Sequence, residues 1–117
     1  MSDPLCYGWG MWLATQHGFY SIVQKAPETF HVRARLKSDL ENLLTVAGLS
    51  HEIETWDGAD YRYRIIIGKS DFADLMAKLA LALDYPNFKS QIASLPDQRP
   101  KLNAFHEIWS IMAGLQR

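Results

Sequence analysis

The sequence predicts an α+β protein: a five-stranded antiparallel sheet, order 1-2-3-5-4, with helices on one face and extra helices at the C-terminus. Three observations carry that expectation. Five short stretches are strand-like, and three of them alternate apolar and polar residues, the period of a strand with one face in a core. Further stretches repeat apolar residues every three or four positions, the period of an amphipathic helix. The elements come in the run β-β-β-α-β-β-α, then two more helices.

Residues 1–10 carry Pro4, Gly8 and Gly10 and read as an irregular tail before a single domain over 11–117. A second methionine, Met11, stands where the patterned part begins and marks an alternative natural start. Met11 to Gln16 and Phe19 to Lys25 are strand-like, joined by a His17-Gly18 turn. After the connector at Ala26–Thr29, residues 30–35 form the third strand. Phe30, Val32 and Ala34 face one way there, and His31, Arg33 and Arg35 the other.

Ser38-Asp39-Leu40-Glu41 has the spacing of a capping box, in which the Ser hydroxyl and the Glu side chain satisfy free amides at a helix start. Leu40, Leu43, Leu44 and Ala47 follow as a helical stripe, and Gly48 suits a left-handed helix end. His51 to Trp56 and Tyr61 to Ile67 then read as a hairpin around Asp57-Gly58. An odd-length loop keeps the polar faces together. It sets Glu54 opposite Arg62, Glu52 opposite Arg64 and Ile53 opposite Tyr63, with Tyr61, Tyr63, Ile65 and Ile67 toward the core.

Gly68-Lys69-Ser70 resembles the end of a phosphate loop. The glycine that such a loop needs five residues earlier is Tyr63, inside a strand, so Ser70 reads as a helix cap instead. Phe72, Leu75, Met76, Leu79 and Leu83 make the next stripe. Pro86 interrupts it, Asn87 caps a short helix running to about Ala93, and Pro100 opens a last helix striped by Leu102, Phe105, Trp109, Met112 and Leu115. A strand-helix-strand unit followed by a hairpin and helix is the core of the split β-α-β, ferredoxin-like plan. The first two strands then extend the sheet on the free flank.

Composition excludes several classes. Hydrophobic residues are 48% and charged residues 21% of 117, so the chain can pack a core. A net charge of −1 argues against nucleic-acid binding by bulk charge, and no apolar run approaches the ~20 residues that span a bilayer. The lone Cys6 allows no internal disulfide and fits a reducing cytoplasm. Histidines at 17, 31, 51 and 106 have no metal-ligand spacing, and no cofactor motif is present.

Several stretches together resemble a family of small bacterial proteins with no assigned activity. They are Trp12-Leu13-Ala14-Thr15 with Gly18 to Gln24, Val32-Arg33-Ala34-Arg35, Ala59 to Arg64, Asp84 to Lys89 and His106-Glu107-Ile108-Trp109. The resemblance runs from about Met11 to the C-terminus and implies no mechanism. It directs attention to Tyr61, Arg62, Arg64, Asn87, Lys89 and His106.

Three functions compete. The first is a non-catalytic binding or assembly module, its partner a protein or a second copy, acting through a charged sheet face or the apolar last helix. The second is single-stranded nucleic-acid binding through the arginine strands, opposed by the neutralising Glu52 and Glu54. The third is a small-ligand site or enzyme around Asp84 to Lys89 and His106, for which no nucleophile can be named. A solvated ladder of salt bridges would also account for Arg62 and Arg64. The candidate residues are therefore Arg33, Arg35, Arg62, Arg64, Asn87, Lys89 and His106.

Overall fold

A computed structural model describes residues 9–116, so most of the expected tail lies outside the described residues. Contacts divide the chain into two compact units, Met1–Asp84 and Tyr85–Arg117.

The first unit is the α+β part. Strands β1 (Met11–Ala14), β2 (Phe19–Ala26), β3 (Thr29–Ala34), β4 (Glu54–Thr55) and β5 (Tyr63–Gly68) form one antiparallel sheet in the order 1-2-3-5-4. Helices α1 (Lys37–Ala47) and α2 (Lys69–Leu81) supply Leu40, Leu43 and Leu75 to a buried cluster with Tyr20, Ile22, Val32, Ala34, Ile65 and Ile67. Those strand residues alternate, so one sheet face is the core, as the alternation predicts. Phe30 and Phe72 stack at 4.7 Å beside it.

Local chemistry departs from the expected caps. α1 starts at Lys37 with Leu36 at its cap and no side-chain cap bond, so Ser38 and Glu41 form no capping box. The reason is Asp39, which is turned inward. Its carboxylate accepts from the Phe19 amide at 3.2 Å, and its carbonyl accepts from the Tyr20 hydroxyl at 2.6 Å. α2 likewise starts at Lys69, not after a Ser70 cap; the Lys69 amide donates to the Glu28 carbonyl in the β2–β3 turn. Gly48 does end α1, at φ 61°, and the Lys78 ammonium donates to the Ala47 carbonyl, a cation at the negative helix end. Leu83 lies beyond α2 and is exposed, contrary to its place in the expected stripe.

Both hairpins are offset by two residues from the expected registers. The first turn is Gln16-His17, closed by the Thr15 amide on the Gly18 carbonyl. Gly18 is required there because a Cβ would stand 2.5 Å from that of Asp39. In the second hairpin Glu54 faces Arg64 and Thr55 faces Tyr63, not Arg62 and Tyr61. The loop spans residues 57–61, and the Trp56 amide closes it on the Arg62 carbonyl. Three features hold the longer loop: the Arg62–Asp57 ion pair at 3.0 Å, a bond from Arg35 to the Asp60 carbonyl at 2.8 Å, and Gly58 at φ 88°. A shift of two preserves facing, because side chains alternate with period two.

The second unit holds α3 (Phe88–Ser94), a short 3₁₀ turn at Arg99–Lys101 and α4 (Leu102–Ala113). Asn87 caps α3 as expected, its side-chain oxygen accepting from the Ser90 amide at 2.9 Å.

Candidate functional site

Register places one row of side chains across all five strands, on the face away from α1 and α2. Trp12 lies beside Ser21, Ser21 beside Arg33, Arg33 beside Arg64, and Arg64 beside Glu54. His31 stands on the same face, beside Ile66. The alternation in the sequence predicts this gathering of arginines and a carboxylate.

It does not predict their burial. The face was expected to lie open to solvent, yet Arg33 and Arg64 are both 0% exposed. Arg33 donates to the Ser21 carbonyl at 3.2 Å and to the Ser21 hydroxyl at 2.7 Å. Arg64 donates to His31 Nδ1 at 3.0 Å and to the Tyr61 carbonyl at 3.3 Å. Aromatic rings from the β4–β5 hairpin cover both. The Trp56 ring lies 3.9 Å from the Arg64 guanidinium, and the Tyr61 ring lies between Arg33 at 4.7 Å and Arg35 at 4.3 Å. Tyr61 was expected beneath the helices; it sits in the loop rather than in β5, which frees it to fold over the other face.

Burial sets the protonation states. It pushes the His31 pKa down from 6.5 to about 4, and the Arg64 charge adds to the effect. The imidazole is then neutral near pH 7 and can accept from Arg64, which matches the geometry. Burial also lowers the pKa of Arg33. Arg35 and Arg62 are exposed: Arg35 is held by Asp60 and Tyr61, and Arg62 by Asp57. Solvent therefore reaches only two of the four candidate arginines, and both are engaged with the loop.

Compared with family models, with curated proteins and with solved structures, the chain matches none.

The remaining candidates belong to the second unit, and there the geometry does bring them together. Asn87, Lys89 and His106 all line one groove of about 730 Å³ between α3 and α4. Phe88 and Phe105 meet edge-on at 5.1 Å, and the His106 and Trp109 rings lie near parallel, 17° apart at 5.9 Å. Asp84, considered alongside these residues, belongs to the first unit, where it accepts from Gln16 at 3.3 Å. Among the described residues no group of three or more His, Cys, Asp or Glu could hold a metal, and no helix is long and apolar enough to cross a membrane.

Sequence reasoning put His31 and Trp56 on the same sheet face as the arginines, but it missed Ser21 there and did not bring Trp109 to the groove. Trp56 shares parity with Glu54, which was a usable signal. Nothing local marks Ser21 as the acceptor for Arg33, because that bond joins residues 12 apart through strand pairing.

The last helix carries a second feature. At 3.6 residues per turn its apolar side chains form a groove-facing arc roughly 60° wide and, adjoining it, a second arc roughly 100° wide. Leu102, Phe105 and Trp109 turn to the groove. Ile108, Ile111, Met112 and Leu115 turn elsewhere and are 38%, 72%, 58% and 71% exposed. Of the stripe expected for this helix, Trp109, Met112 and Leu115 are all largely exposed, and Met112 and Leu115 turn away from the groove.

Proposed function

We propose that the protein is a non-catalytic assembly module that pairs with a second copy of itself through α4. The observation that carries this reading is the exposed Ile108-Ile111-Met112-Leu115 arc. Ile108, Ile111 and Met112 have the i, i+3, i+4 spacing of a helix seam docking against another apolar surface, and Leu115 extends it into the turn just past α4. The seam contains no charged residue, so it complements a copy of itself without needing an opposite charge. Two such helices lie antiparallel across a two-fold axis, which also sets their dipoles in opposition. A net charge of −1 places little repulsion between copies. Four side chains per copy form a small contact, so association on the order of micromolar or weaker is expected after the entropy of association is met.

Size-exclusion chromatography with light scattering tests this across a dilution series. The mass should rise from the 13.4 kDa of one chain toward twice that value with concentration. Ile111→Glu and Leu115→Lys should hold the mass at one chain with an unchanged circular dichroism spectrum. A monomer at every concentration, or a dimer indifferent to both substitutions, rejects the proposal.

A further inference from the structure

The groove on the other arc of α4 is not needed for that pairing, and its chemistry points to a ligand of its own. We propose that it binds a small planar monoanion of the aryl carboxylate class.

Size comes first. A volume of about 730 Å³ lies within the ~300–1,000 Å³ of small-molecule sites and is far larger than a single ion requires. Shape comes next. Phe88, Ile92 and Phe105 provide apolar surface, and the Trp109 ring, with the His106 ring near parallel beside it, offers a flat face against which a planar π-system stacks. Charge selects the sign. Lys89 is the cation of the lining, and among the described residues lining the groove there is no carboxylate. No ion pair with another described residue engages the Lys89 ammonium. An apolar wall with a single ammonium at its edge favours an anion that keeps one face dry and one end charged. A carboxylate meets an ammonium through a charge-assisted hydrogen bond stronger than a neutral one. A polyanion such as a nucleotide finds only one cation here, and an uncharged ring forfeits it.

The test uses the full chain, with 2-naphthoate and its uncharged isostere 2-naphthamide as probes. Titrations are followed by amide chemical shifts and by calorimetry. The expected result is saturable 2-naphthoate binding with shifts centred on residues 86–109, and about tenfold weaker binding of 2-naphthamide. Lys89→Met should erase that tenfold preference, bringing 2-naphthoate affinity down to that of 2-naphthamide. Trp109→Ala should weaken both probes together. Lys89 is exposed, so its replacement leaves the fold intact, which the shift spectrum checks directly. No saturable binding up to roughly millimolar probe, the range of the weakest specific complexes, overturns the proposal. So do equal affinities for the two probes, or shifts confined to other residues. Ile111→Glu should not alter probe binding, so this site stands or falls separately from self-association.

Discussion

His31 should make the protein markedly less stable in mild acid, by an amount that can be worked from its surroundings. The imidazole is buried, accepts from Arg64 at 3.0 Å, and has its pKa lowered from 6.5 to about 4. Lys25 and Arg33 also oppose its protonation, and only Glu54 favours it. A histidine held neutral in the fold is protonated more readily when unfolded. The unfolded chain therefore binds the extra proton between about pH 6.5 and 4, and stability falls as pH falls through that window. A displacement of this size corresponds to about 3 kcal/mol when fully expressed, of which about 2 kcal/mol is lost by pH 5. The perturbation is His31→Gln, whose side-chain oxygen can accept from Arg64 but does not titrate. Urea unfolding of both proteins, followed by circular dichroism at several pH values, isolates the site because every other titrating group is common to both. The wild type should lose about 3 kcal/mol more than the variant between about pH 7.5 and 4. Parallel pH profiles would refute both the neutral imidazole and its role as acceptor for Arg64.

Three other outcomes follow from the same geometry. Arg33→Ala should destabilise the fold by about 3 kcal/mol in urea unfolding, because it removes two buried bonds to Ser21, whereas Arg62→Ala should change stability by less than about 1 kcal/mol, since its partner Asp57 is solvated. Gly18→Ala should lower stability by about 1–3 kcal/mol, because the new methyl meets Asp39 and the Tyr20 hydroxyl, while Gly68→Ala, with its nearest atom at 3.8 Å, should be tolerated in the same thermal-melt comparison. Asn87→Ala should remove about 1 kcal/mol from α3, read as faster hydrogen exchange at the Ser90 amide.

The sheet was legible because facing depends only on parity. Val32 and Ile65 alternate with Arg33 and Arg64 in the chain, and no register shift of two residues can exchange them. Strand order was legible because short connectors and one helical crossover leave few ways to lay five strands side by side. The register itself depended on the length of the loop, which is held by a bond from Arg35, 25 residues away, and by the Arg62–Asp57 pair across the loop, neither of which alternation reveals. The arginine burial was illegible for a related reason. Charged alternation in a sequence reads as a wet face, and only Trp56 and Tyr61, placed by the hairpin, make it dry. The caps failed where a propensity met a stronger demand: Asp39 serves the Phe19 amide, and the inward turn that this requires leaves Ser38 outside any box. In the last helix periodicity located the apolar residues but could not say that they serve two directions.

Trp56 lies with its ring over a guanidinium and edge-on to an imidazole 5.7 Å away. Protonated imidazole quenches indole emission efficiently, whereas the neutral ring does so weakly. The hairpin therefore contains its own optical probe of the proton on His31. Trp109 also has an imidazole beside it, that of His106 at 5.9 Å, so the measurement uses a Trp109→Phe background; there Trp9 and Trp12, both solvent-facing, contribute a long-wavelength background from which a shorter-wavelength, acid-sensitive component should separate. Following that component in stopped-flow acid jumps would time the opening of the aromatic cover without any label.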